Sequence, residues 1–118
     1  MTSQTRTPKR TTLESPETSP TQLFAAFAHE RRQLALAYLA HRPAATVLDD
    51  MAEFVALAEG DPTRGRCERI RTDLVHSHLP QLCDAGLVRY DRDSELVTLV
   101  VDRGVVAPYL ELAGHATA

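Results

Sequence analysis

Tryptophan is missing from this chain, and lysine nearly so, with Lys9 the only one. Positive charge therefore rests almost wholly on arginine. No apolar run approaches the ~18–20 residues that cross a bilayer, so no membrane-spanning segment is expected. The N-terminus carries no apolar core behind its charges, which argues against a secretory signal. Cysteine is scarce: Cys67 and Cys83, sixteen positions apart, read as reduced thiols of a cytoplasmic protein. Net charge is −3, so bulk electrostatics does not announce a nucleic-acid binder. No internal repeat is visible. A glycine-rich phosphate loop after a strand, a nucleophile elbow and a carboxylate pair in an evident cleft are all lacking. The chain is therefore not read as an enzyme, and no catalytic residue or cofactor is assigned.

What is present fits one domain. The chain has 118 residues, and a hydrophobic content of 43% supports a modest core. Residues 1–20 are rich in Ser, Thr and Pro and hold one large apolar residue, Leu13. Such a stretch buries too little to offset its ordering entropy and reads as a disordered tail. From Thr21, a candidate cap, a helix buries Leu23, Phe24 and Phe27. A second helix places Leu34, Tyr38 and Leu39 inside and stops at Pro43. Thr46 offers another cap, with Asp49 and Asp50 in the first turn, where the helix dipole favours acids. The segment GDPTRG, residues 60–65, reads as a loop. A long helix spans roughly Arg66 to Asp84. LVRYD and LVTLVV then make two short strands around DRDSE. A last helix starts near Pro108, which suits a first turn.

Pro80 falls inside the long helix, where proline costs ~3 kcal/mol or more. A rotation of about 100° per residue puts Cys67, Ile70, Leu74 and His78 on the core side, beside Val75 and Leu82. Arg69, Asp73, His76 and Pro80 fall opposite. The proline is then tolerated because it points outward, where water satisfies the freed His76 carbonyl.

Two pieces carry a resemblance. LFAAFAHERRQLALAYL, residues 23–39, and HLPQLCDAGLV, residues 78–88, resemble the opening helices and recognition helix of ArsR-type regulators. The H-x-H-L-P-x-L version and the long linker look most like small, chiefly haloarchaeal, winged-helix proteins. The resemblance implies a mostly α fold with a small β-wing, a winged helix-turn-helix, over residues 21–103. It also implies a homodimer through the first and last helices, with 104–118 as dimerisation element, and double-stranded DNA as partner.

The expected DNA contacts are Arg64, Arg66, Arg69, Arg71, Thr72, His76, Ser77 and Gln81, with Arg92 on the wing. A solvated mixed-charge helix is the competing reading, because Glu68 and Asp73 interrupt the patch. Asp91, Asp93 and Glu95 crowd the wing tip, where phosphate would be repelled. The wing then stays off the DNA, or the protein is an adaptor that binds another protein. The expected dimer surface is Leu23, Phe24, Phe27, Val105, Tyr109 and Leu112; the alternative is that the last helix folds onto its own domain. No metal site is expected: ArsR-type sensors carry a thiol near residues 45–51, and this chain reads ATVLDDM there. His76 and His78 point to different faces. Cys67 and Cys83 are expected as small core residues, with a redox pair as the minor reading.

Overall fold

The computed structural model describes residues 19–42 and 44–115. The proposed tail therefore lies outside the described residues except for Ser19 and Pro20, and these open the first helix. In α1 (Pro20–Ala26) Ser19, not Thr21, is the cap. Its hydroxyl accepts from Gln22 N–H at 3.2 Å while the Gln22 side chain accepts from Ser19 N–H at 2.9 Å. This reciprocal pair satisfies two orphan donors, and Pro20 sits at the position where no donor is needed.

Helix α2 (Glu30–Ala40) is the centre of the core. Leu34 through Ala40 are all buried, because other elements cover the helix on every side. The helix ends at Ala40, capped by His41. Pro43 lies outside the described residues.

Thr46 does not cap α3 (Leu48–Ala58). Instead Thr46 and Val47 form a two-residue strand, β1, that leads straight into the helix. The sheet has three antiparallel strands in the order β1-β3-β2, not the two expected. Here β2 is Val88–Asp91 and β3 is Leu96–Leu99. Thr46 faces Val97, Val47 faces Leu96, and Leu48 N–H donates to the Glu95 carbonyl at 2.9 Å. Two residues are too few for any periodicity to show in a sequence.

The long helix runs unbroken from Arg64 to Asp84, but in three parts: α4 (Arg64–Asp73), a π turn (Leu74–His78) and α5 (Leu79–Asp84). Thr63 caps it by accepting from Arg66 N–H at 3.3 Å, so the helix takes Arg64 and Gly65 from the expected loop. Within the π turn Leu79 N–H donates to the Leu74 carbonyl, five residues back. The wider turn holds one more residue than an α-turn and ends two residues before Pro80, which falls in the first turn of α5. Pro80 is exposed, as expected.

The extra residue also shifts the phase of everything after it. Ile70 and Leu74 line the core before the turn; Leu79 and Leu82 line it afterwards. An uninterrupted α-helix would have swung Leu79 away. His78, the last residue of the turn, is 3% exposed. The helix ends in a left-handed Gly86 at φ +78°, with Gly86 N–H bonded to the Cys83 carbonyl and Leu87 N–H to the Leu82 carbonyl. That double closure needs a positive φ, which glycine adopts without strain.

The last helix, α6 (Arg103–Leu112), starts five residues before Pro108. Asp102 caps it by accepting from Gly104 N–H at 2.8 Å, and Pro108 sits inside on the exposed side. Val106 and Leu110 are fully buried and share the core with α2. Among the described residues no helix is long and apolar enough to cross a membrane.

The phase shift is testable. Leu79→Ala is expected to cost ~2–5 kcal/mol, as a filled core position does. Pro80→Ala is expected to change stability by less than ~1 kcal/mol, because the buried Leu79 and His78 still require the extra residue. Urea midpoints of the two variants check both values.

Candidate nucleic-acid interface

Side chains of the long helix divide by face. Arg64, Arg69, Thr72, His76 and Gln81 are exposed, Ser77 is half-buried, and Arg92 is exposed on the β2–β3 turn. Arg69, Thr72 and His76 line one open groove with Gly65, Glu68 and Asp73. These side chains can offer a guanidinium fork, a hydroxyl and an imidazole to one ligand surface.

Arg71 is committed elsewhere. Its Nε donates to Asp49 Oδ1 at 2.7 Å and its Nη2 to the Glu95 carboxylate. Burial opposes its charge less than these two carboxylates favour it, and its pKa lies above the ordinary arginine value, chiefly through Glu95. Arg71 thus fastens the start of α3 and the hairpin turn to the long helix, which corrects its expected role as a phosphate clamp. Arg66 is half-buried as well. Its Nη2 lies 3.7 Å from Glu59 Oε1, and its buried Nε has no partner among the described residues.

Behind the exposed face lies an ionic network that no local sequence pattern marks. Arg31, on α2, forks onto Glu59 at the end of α3, with bonds of 2.7 and 3.0 Å. Its third donor reaches Asp73 Oδ2 at 2.8 Å. The same oxygen lies 2.8 Å from His78 Nε2. On the other side of the ring, His78 Nδ1 lies 3.5 Å from Arg32 Nη1. Arg32 is buried and donates to the carbonyls of Ala25 and Ala26, at the end of α1. Because Nδ1 faces a donor, the ring is neutral with its proton on Nε2, given to Asp73.

The electrostatics agree with that tautomer. Burial holds the His78 pKa below the usual histidine value, against the pull of Asp73 and with help from His29 and Arg32. Burial alone would raise Asp73, but Arg31 and His78 together hold its carboxyl below the usual range. The Arg31 fork does the same for Glu59. Asp73 therefore does not present a free negative charge to the groove, although the sequence placed it squarely on the outward stripe.

The cysteines separate. Both are free and half-buried. Sixteen residues along one helix put them ~24 Å apart, far beyond the ~7 Å Cα separation a disulfide spans. An internal redox pair is thereby excluded. Burial raises the Cys83 thiol, which leaves it a poor nucleophile. His76 is exposed while His78 is buried.

The expected dimer surface splits in the same way. Leu23 and Phe27 are buried in the chain's own core, which corrects their assignment. Tyr109 of α6 stacks on Phe27 with centroids 5.3 Å apart and meets the edge of Phe24 at 5.7 Å. Phe24 remains 63% exposed and Leu112 86%, while Val105 and Tyr109 are half-buried.

Residues 24–98 match the model of a domain of unknown function, DUF7344, and the chain belongs to that family. No curated protein and no solved structure matches it.

Two outcomes follow from these contacts. A histidine held below its unfolded value leaves the unfolded state with more protons, so stability is lost as pH falls. The two depressed carboxylates act in the same direction further down. Stability is expected to be flat from pH ~7 to ~8, to fall below ~6.5 and again below ~4.5, and to fall at alkaline pH as the half-buried Cys83 resists ionisation. In His78→Gln the first step is expected to vanish and the second to remain, as read by thermal melts across pH. The second outcome concerns Glu95, the one described non-glycine residue with positive φ, at +59°. Left-handed backbone costs it ~1 kcal/mol or more, while its part-exposed pair with Arg71 contributes about 0.2–1 kcal/mol. The effects nearly cancel, so Glu95→Gly is expected to move the unfolding free energy by under ~1 kcal/mol. A loss above ~2 kcal/mol in denaturation would show that the clasp outweighs the strain.

Proposed function

We propose that this chain is a winged helix-turn-helix regulator that binds double-stranded DNA, as its resemblance to ArsR-type proteins implies. One observation carries the reading. The long helix turns Arg64, Arg69, Thr72, His76 and Gln81 outward, while its central acid, Asp73, is paired from behind with the Arg31 guanidinium and accepts a hydrogen bond from the neutral His78 ring. The charge that most opposed DNA contact is thus partly offset from inside, by a guanidinium that Asp73 shares with Glu59. Arginines supply phosphate affinity, and His76, Thr72 and Gln81 supply donors and acceptors for base edges. The β2–β3 wing stays off the duplex in this reading, because Asp91 and Asp93 are exposed around Arg92.

A protein-binding adaptor is the second reading, and those two exposed wing carboxylates favour it. A fluorescent random-sequence duplex titrated across about 50 to 200 mM salt separates the two. DNA binding predicts a negative log–log salt slope that shrinks by about 0.9 for each of Arg64→Ala and Arg69→Ala. Arg71→Ala is expected to leave that slope nearly unchanged, since its guanidinium is already occupied. Absence of binding at the lowest salt, or indifference to both outward arginines, would leave the adaptor.

The homodimer is part of the same proposal. Exposed Phe24 and Leu112 flank the half-buried Tyr109 and Val105, an apolar strip on the outside of α1 and α6. Light scattering is expected to report a dimer for the full chain and a monomer for Phe24→Ser/Leu112→Ser. A strict monomer at high concentration would remove the dimer.

A further inference from the structure

The long helix has a joint in it, and a part-buried ion network sits on that joint. The π turn Leu74–His78 separates α4 from α5. Its last residue, His78, is the only member of the network within the turn. All the charged or titratable groups that face the ring can be named. Asp73 comes from α4, and Arg32 and the ring of His29 from the start of α2; Arg31 and Glu59 act through Asp73. The His29 ring lies 4.4 Å from the His78 ring, centroid to centroid.

We propose that His78 is a positioning residue: wired to Asp73 and Arg32, it holds the π turn, and a proton on its Nδ1 releases α5 from the rest of the helix. The neutral ring fits its site on both sides, giving Nε2–H to Asp73 and turning a lone pair to Arg32. A second proton turns that lone pair into an N–H aimed at a guanidinium 3.5 Å away. Arg32 is anchored by two α1 carbonyls and does not retreat. The ring is the group that moves, and the turn it closes moves with it.

Pro80 decides what form the movement takes. An ordinary helix losing a π turn re-forms the α register and rotates its downstream half. Here the missing N–H of Pro80 withholds the bond to His76 that this register requires. The released segment has no regular alternative, so it opens locally. Gln81 is on that segment, and Gly86 and the hairpin follow it. Protonation would then loosen the second half of the proposed DNA face while Arg64 and Arg69 stay on α4. This last consequence rests on the DNA-binding reading; the joint itself does not.

Hydrogen exchange by mass spectrometry on the full chain tests the joint without any DNA. Protection, corrected for intrinsic exchange, is compared at pH about 7.5 and about 5 for peptides covering 79–84 and for peptides in α2. The expected result is a loss of about tenfold or more in 79–84, with α2 unchanged. His78→Gln is expected to abolish the difference, since an amide offers a donor and an acceptor that do not change with pH. Equal loss in both regions, or a step that survives His78→Gln, overturns the proposal. Should His78→Gln not fold, Arg32→Met keeps the test open. Removing the opposing cation is expected to move the His78 ring titration, followed by NMR, to higher pH, and an unmoved midpoint overturns the proposal. The random-sequence duplex is titrated at both pH values in parallel. Local opening without DNA binding at either pH sinks the DNA reading and leaves the joint standing.

Discussion

One carboxylate oxygen ties the long helix to the rest of this domain. Asp73 Oδ2 accepts from Arg31 of α2 and from His78 of the π turn, each at 2.8 Å. Through Arg31 the contact continues to Glu59 and the end of α3. Through His78 it reaches Arg32 and the carbonyls that end α1. Four helices therefore meet at one charge. An ion pair so placed is not simply stabilising: desolvation costs each group, and only complete pairing offsets it. Removal of one partner leaves the others half-buried and unmatched. What such a network supplies is a single arrangement of the helices, and here the arrangement decides which side of the long helix meets solvent.

The same network changes how the surface charge is to be counted. Read along the sequence, the long helix alternates basic and acidic residues and looks electrically mixed. In space, two of the arginines are spent on carboxylates of neighbouring elements: Arg71 on Asp49 and Glu95, and Arg66 part-way toward Glu59. Asp73 is spent on Arg31 and His78. What remains outward is Arg64, Glu68 and Arg69, with Thr72, His76 and Gln81 beyond them. The face is less basic than its arginine count suggests, and also less acidic. Net charge alone said neither.

Much of the architecture was legible because helices and turns carry local chemistry. The order of helices, the hairpin, Gly86 as a stop, outward Pro80 and buried His78 all follow from spacing and from a few special residues. The failures share a cause as well. The Ser19 cap hides in a Ser- and Pro-rich stretch that looks featureless. The β1 strand has two residues, and only its partner in β3 makes it a strand. An α-helical wheel holds a fixed phase, so it cannot anticipate the extra residue of the π turn or place Leu79 inside. The start of α6 was misread because proline favours first turns but also tolerates an exposed place further in. Arg31, Arg32 and Glu59 were missed for a plainer reason. Their partners lie 28 to 46 residues away in the chain, and no local pattern marks a long-range ion pair.

The junction at residues 46–49 constrains where the chain tolerates a change in length. Thr46 and Val47 are paired to β3, Leu48 is bonded to Glu95, and Asp49 is bonded to Arg71, with no slack residue between them. One inserted or deleted residue there would invert the strand's faces and turn Asp49 away from its arginine together. The segment from Gly60 to Pro62 makes only short-range bonds, to the end of α3 and the start of the long helix. A change in chain length between α3 and the long helix would therefore disturb only local bonds, while one between β1 and α3 would break long-range pairing.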